Sequence, residues 1–206
     1  MTVQASDKGA VTNILIVGVG GQGTLLASRV IAQAAIDLGY DVKVSEIHGM
    51  AQRGGSVVSQ VRYGHKVYSP IIKKGEADII LAFEKLEAAR YLEFLKDGGL
   101  IVINNERIDP LPVMNGESQY PDNLEKAIAD VVPRTVVLDA TDMARECGND
   151  RAANIVMVGL MGKAIGIPDA SLDQAIRKLV PQKVMDINLK AAESGRNYLD
   201  NSGISL

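Results

Sequence analysis

Apolar residues along this chain fall in short runs, and the breaks between them are glycine- and proline-bearing. NILIV at 13–17 is a continuous apolar stretch of strand length, closed by the glycine-rich VGVGGQG of residues 17–23. TLLASRVIAQAAIDLG then carries apolar residues at helical spacing, which predicts a helix from Thr24 that stops at Gly39. YDVKVSEI alternates and is rich in β-branched residues, so it predicts a second strand. Strand, helix and strand in this length make a βαβ unit, with a right-handed crossover expected.

The polar, glycine-bearing segment HGMAQRGG (48–55) interrupts the pattern. SVVSQVRYG alternates after it, and Gly64-His65 predicts a hairpin turn into KVYSP, hence a small β-arm. ADIILAF and GGLIVINN read as buried strands. Between them LEAARYLEFL predicts a helix with Leu86, Ala89 and Leu92 turned inward. Residues 106–121 hold three of the seven prolines and read as loop or short edge structure; NLEKAIADVV reads as a short helix and RTVVLDA as a further strand. The last third is helical. NIVMVGLMGKAIG has glycines that allow close helix packing, SLDQAIRKLV is capped by Ser171 after Pro168, and the final helix starts at Pro181. The expected fold is α/β: a Rossmann-like, mostly parallel sheet with helices on both faces, a small β-hairpin arm and a helical C-terminal third. Residues 1–10 read as a loose tail and 11–206 as one domain.

Composition narrows this further. With aromatics at 4% and no tryptophan, the core must be built from Val, Ile, Leu and Ala, which suits a parallel sheet covered on both faces. A net charge of -3 gives no argument for nucleic acid or an anionic membrane as partner. The single cysteine, Cys147, excludes a disulfide framework and any self-contained cysteine-ligated zinc or iron–sulfur site. The first ten residues lack a signal-peptide apolar run, and no stretch has the length and apolarity of a membrane span, so cytoplasm is the default.

Two clusters carry candidate chemistry. Gly18, Gly20 and Gly23 satisfy G-x-G-x-x-G, with Gly21 as a fourth glycine, directly after a strand and opening a helix. Glycines there permit a tight turn and close backbone approach, and the helix N-terminus favours an anion. The same glycines could serve strand–helix packing alone. A dinucleotide would need an acid at the end of the second strand, for which Glu46 is the candidate, a little beyond the usual spacing. The second cluster is Glu46, His48, Gln52 and Arg53, expected to face the glycine turn from a neighbouring strand end. Arg53 suits a phosphate or carboxylate, on a ligand or on a protein partner. Asn104, Asn105, Asp139, Thr141 and Asp142 end two strands and either line the same crevice or cap helices; Asn154 either caps its helix or touches ligand. Cys147 reads as a bystander thiol.

NILIVGVGGQG, EIHGMAQRGGSVVSQVRYG and ADIILAFEKLEAARYLEFLKDGG together resemble the gamma-type domain of the 2-oxoacid:ferredoxin oxidoreductases, above all the small (beta) subunits of the indolepyruvate type. The resemblance runs over nearly the whole chain, and the combination of GxGGQG with HGMAQRGG is specific. It implies a multisubunit enzyme that oxidatively decarboxylates aryl pyruvates with coenzyme A, giving aryl-acetyl-CoA, CO2 and reduced ferredoxin. It places thiamine diphosphate, Mg2+ and [4Fe-4S] clusters on a large partner subunit, in a heterodimer or heterotetramer, with no redox cofactor on this chain. By position, the family motifs fall on Gly18, Gly20, Gly21, Gln22 and Gly23, and on Glu46, His48, Gly49, Met50, Gln52, Arg53, Gly54 and Gly55. The residues agree with that division of labour: decarboxylation needs an electron sink and ferredoxin reduction needs a redox centre, and no side chain here supplies either. The competing readings are an independent NAD-binding oxidoreductase and a purely structural Rossmann-like subunit.

Overall fold

The structure is a computed structural model that describes residues 11–48 and 55–201. The apolar run after Val11 forms β1 (Thr12–Val19), and the glycine turn leads into α1 (Thr24–Asp37). Then follow β2 (Asp41–His48), β3 (Ser56–Gly64), β4 (Ala77–Ala82), α2 (Lys85–Arg90), β5 (Leu95–Asn104), α3 (Leu111–Met114), α4 (Leu124–Val131), β6 (Thr135–Leu138), α5 (Ala140–Glu146), α6 (Ala153–Ala164), α7 (Asp169–Leu179) and α8 (Met185–Asn201). One six-stranded sheet has the order β2-β3-β1-β4-β5-β6. β1, β4, β5 and β6 run parallel to one another, and β3 alone opposes its two partners, β1 and β2.

The period-2 geometry of β1 divides the core. Ile14 and Ile16 belong to the larger apolar cluster, with α1, α5, α6, α7 and α8; Leu15 and Val17 point into the smaller one, with α2 and α4. The mostly parallel sheet, its two helical layers and the helical last third match the expected fold class.

The hairpin arm is where expectation and structure part. KVYSP is not a strand and Gly64-His65 turns no hairpin. Instead SVVSQVRYG, as β3, is inserted into the main sheet: Val57 faces Gly18 on one side and His48 on the other. The cause is burial. β3 has a strand on each side and is largely buried, so even its glutamine is internal: Gln60 Oε1 accepts from the backbone N–H of Ile72 at 2.6 Å. Two helix details also differ. The 86–95 helix ends at Arg90, with Glu87 and Ala88 as its buried residues, while Ala89 and Leu92 pack partly buried against the smaller cluster as expected. In α7 the N-cap position is Pro168, without a side-chain cap, and Ser171 lies within the first turn.

Buried polar groups pin the loops that surround the sheet. Glu84, 1% exposed, caps α2 by accepting from the N–H of Glu87 at 3.0 Å, and accepts from the hydroxyl of Tyr120 at 2.5 Å. Burial first, and the Glu84 carboxylate second, push the Tyr120 phenol far above its ordinary pKa. Arg107 stacks on the same ring at 4.4 Å, so the 106–121 loop is latched onto the end of β4. Tyr120→Phe should lower unfolding stability by about 2 kcal/mol, the usual size for a buried hydrogen bond to a charged group, measured by urea unfolding. An unchanged midpoint would show that water replaces the phenol.

Candidate functional site

The carboxyl ends of β1, β4 and β5 converge on a cleft of about 520 Å³. Its first wall is the glycine turn. β1 ends at Val19, Gly21 takes φ +106° and Gly23 φ +80°, and α1 begins at once with no side-chain cap and no acid in its first turn. The Gln22 side chain shapes the turn from inside: its Oε1 accepts from the N–H of Val19 at 2.7 Å, and its Nε2 donates to the carbonyl of Phe83 at 2.8 Å. A Cβ at Gly18 would lie 2.9 Å from both Gln22 Oε1 and Phe83 Cβ, so glycine at 18 gives that clamp its room.

The second wall is a carboxylate held by side chains from three elements. Glu106 Oε2 accepts from Asn104 Nδ2 at 2.9 Å, from Thr141 Oγ1 at 3.1 Å and, at a longer 3.4 Å, from Gln22 Nε2. Asn104 is 2% exposed, and its Oδ1 also accepts from the N–H of Ala140, fixing the start of α5. Asn105 Nδ2 donates to Asp139 Oδ1 at the same strand ends. The third wall is the short turn before α6, where Asp150 and Arg151 both line the cleft, Arg151 with no ion pair among the described residues. Asn154, one residue into α6, donates to the carbonyl of Gly23 at 3.3 Å and ties this wall to the turn. The cleft is thus electrostatically two-sided: uncapped helix amides and a guanidinium favour an anion, and the Glu106 carboxylate favours a hydroxyl or amine donor.

The two sequence clusters meet through the backbone. The N–H of Gly20 donates to the carbonyl of Gly55 at 2.9 Å, so HGMAQRGG ends against the glycine turn. Gln52 and Arg53, with Gly49, Met50 and Gly54, lie outside the described residues. His48 pairs with Val57 through the backbone. Glu46 is displaced from the cleft. With β3 interposed it sits two strand spacings from β1, roughly 9–10 Å, and its Oε1 accepts from Ser28 Oγ at 3.5 Å beneath α1. A dinucleotide fingerprint needs that acid on the strand adjoining β1, so the arrangement does not suit one. Burial, with Glu146 next, pushes the Cys147 thiol up, which disfavours the nucleophilic thiolate.

Glu106, Asp150 and Arg151 are the charged cleft residues that sequence reasoning missed. The signal for Glu106 was there: it lies two residues beyond the buried strand that ends at Asn104, where an α/β sheet carries ligand groups. Arg151 gave no comparable signal, because only the packing of α6 against α1 brings residue 151 to residue 21.

Known proteins share this chain's sequence family and fold. Residues 13–198 match the family described as pyruvate ferredoxin/flavodoxin oxidoreductase. The indolepyruvate oxidoreductase subunit IorB of Thermococcus kodakarensis is 42% identical over 188 residues, covering 89% of this chain and 93% of that one. The IorB subunit of Pyrococcus horikoshii is 40% identical over the same shares. Among solved structures, the gamma subunit of a keto/oxoacid ferredoxin oxidoreductase from Geobacter sulfurreducens superposes with a TM-score of 0.69 at 25% identity, over 91% of this chain and 98% of that one. The chain belongs to the pyruvate ferredoxin/flavodoxin oxidoreductase family.

Proposed function

We propose that this chain is the small subunit of an indolepyruvate-type 2-oxoacid:ferredoxin oxidoreductase, and that its cleft holds the phosphate-bearing part of coenzyme A. The observation that carries the reading is the two-sided cleft at the glycine turn, in a chain about two-fifths identical to indolepyruvate oxidoreductase subunits over nearly their whole length. Thiamine diphosphate with its Mg2+, and iron–sulfur clusters, do not fit the residues present: the chain has one cysteine and two histidines, and no His/Cys/Asp/Glu group among the described residues could hold a metal ion. The reading therefore gives those groups to a large partner subunit, through which ferredoxin is reduced. This chain contributes position. The first-turn amides of α1 and the Arg151 guanidinium take phosphate oxygens, and Glu106, held by Asn104 and Thr141, takes a hydroxyl or amine and turns phosphate away from its own wall.

The test uses the complex with the large subunit. Adding this chain to the large subunit should confer coenzyme A-dependent reduction of a viologen dye by indolepyruvate. Arg151→Ala in that complex should raise the coenzyme A KM by about tenfold, the scale of one charge-assisted phosphate contact, with the indolepyruvate KM and complex yield unchanged. A coenzyme A KM that does not move removes the ligand from this cleft; activity of the large subunit that is indifferent to this chain removes the assignment itself.

A further inference from the structure

The two edges of the sheet are finished differently. β6, at one edge, is four residues long, and Tyr198 of α8 donates its hydroxyl to the carbonyl of Val137 at 2.6 Å. A short strand whose carbonyl is taken by a helix side chain is a protected edge. β2, at the other edge, is eight residues long. Alternate residues of an antiparallel strand turn both N–H and C=O outward, and among Val42, Lys43, Val44, Ser45 and Ile47 no such outward group is bonded to the backbone of a described residue. Its apolar side chains stand out on both faces of the sheet: Val44 is 39% exposed and Ile47 is 53% exposed. Beside Val44 lies a groove of about 450 Å³, bounded by Ile36, Gln33 and Arg29 of α1, Leu179 of α7 and Glu46. Ile36 is itself 52% exposed, and Arg29 has no ion pair among the described residues. Lys43, a residue type that guards edges, lies back along its own strand to Asp41 at 2.5 Å.

We infer that β2 is a docking edge that accepts an extended strand of the large partner subunit, adding a seventh strand to this sheet; the inference rests on the proposed role as one subunit of a larger enzyme. An open row of alternating backbone donors and acceptors is complementary to another strand and to little else. A second copy of this chain is the obvious rival, and the sequence of β2 argues against it. Two copies related by a two-fold axis normal to the sheet can set opposite one another only residues that share a face. Among registers pairing more than half of the strand, one centred on Lys43 sets Lys43 against itself, and one centred on Glu46 sets Glu46 against itself. Centring on Val44 sets Val42 against Glu46 and Asp41 against Ile47; centring on Ser45 sets Val44 against Glu46 and Lys43 against Ile47. None pairs opposite charges, and each sets like charges or charge against hydrocarbon, which is unfavourable for cross-strand neighbours. A different polypeptide has no such constraint. The incoming strand should place an apolar side chain between Ile36, Val44 and Leu179, with an acidic neighbour for Arg29.

Amide hydrogen exchange on the free chain and on its complex with the large subunit tests this. In the complex, outward-facing amides within Val42–Ile47 should exchange at least about tenfold more slowly, and those of β6 should not change. Val44→Lys places a cation beside Arg29 on an exposed position that folding does not need. It should weaken the complex about tenfold or more with an unaltered thermal midpoint of the free chain, whereas Leu111→Lys, at an exposed apolar site elsewhere, should leave affinity unchanged. A complex that forms with β2 exchanging as in the free chain, or with Val44→Lys binding at wild-type strength, overturns the docking edge and leaves the proposed function standing. Slowed exchange of β2 in the chain alone as its concentration is raised assigns the edge to a second copy and overturns it too. If no complex forms, both readings fall together.

Discussion

Gly159→Ala and Gly195→Ala should each destabilise the protein by about 3 kcal/mol, the upper end of the range for overpacking, and lower the thermal midpoint by roughly 6–12 °C for a chain of this size. Elsewhere in a helix the same change is usually favourable, because alanine has the better propensity by about 1 kcal/mol. Here the sign reverses because α6 and α8 cross backbone to backbone. A Cβ at Gly159 would lie 2.8 Å from Ala192 Cα and nearer still to the Ala192 carbonyl oxygen. A Cβ at Gly195 would lie 2.9 Å from the backbone of Val156 and Leu160, and nearer still to the Val156 carbonyl oxygen. Neither neighbour is a flexible side-chain end, so the helices themselves must separate. α6 is packed on every side, with ten of its residues buried, and α8 is also held through Arg196, which is 8% exposed and pairs with Asp173 of α7 at 2.9 Å. The double variant should lose less than the sum of the singles, since the first methyl already opens the crossing. Thermal unfolding followed by circular dichroism measures all three; single-variant shifts below about 2 °C would mean that the crossing is looser than the structure has it.

That crossing was legible in the sequence, and its legibility marks what a sequence can convey. Glycines inside an otherwise apolar helical pattern have few uses besides close packing, so NIVMVGLMGKAIG announced a tight neighbour without naming it. The opening strand, glycine turn and helix were legible for the same local reason: burial, turn and helix start are written in adjacent residues. β3 was not legible. SVVSQVRYG has the alternation of a half-exposed strand, yet it lies inside the sheet, where Gln60 accepts from the N–H of Ile72 and Ser56 donates to Glu87 at 2.5 Å, while the buried Ser59 hydroxyl has no partner among the described residues. Strand order is fixed by contacts between segments far apart in sequence, and no local pattern encodes it. The site divides along the same line. The turn residues could be read from their spacing, whereas Glu46 was drawn toward the cleft by the assumption that β2 adjoins β1, and Arg151 entered only through the fold.

Gly23→Ala should cost about 3 kcal/mol, combining a left-handed backbone strain of roughly 1–2 kcal/mol with a steric clash of similar size. Gly21 separates the two contributions. Both glycines have positive φ, +106° at Gly21 and +80° at Gly23, but a Cβ at Gly21 meets nothing within 4 Å. At Gly23 it would lie 3.1 Å from Asn154 Cγ and nearer still to Nδ2. Gly21→Ala therefore reports conformational strain alone, and Gly23→Ala reports strain plus the displacement of Asn154. Asn154 is 6% exposed and enclosed at the start of α6, so it has little space to yield. Adding Asn154→Ala to Gly23→Ala should return about 1 kcal/mol by opening that space, although Asn154→Ala alone should be destabilising by a similar amount through the lost bond to the Gly23 carbonyl. Urea unfolding of the four variants gives the double-mutant cycle. A cycle with no coupling between positions 23 and 154 would show that the turn is held by Gln22 alone. The predicted coupling would make Asn154 the residue through which the C-terminal helices fix the position of the α1 N-terminus, and with it the anion-favouring wall of the cleft.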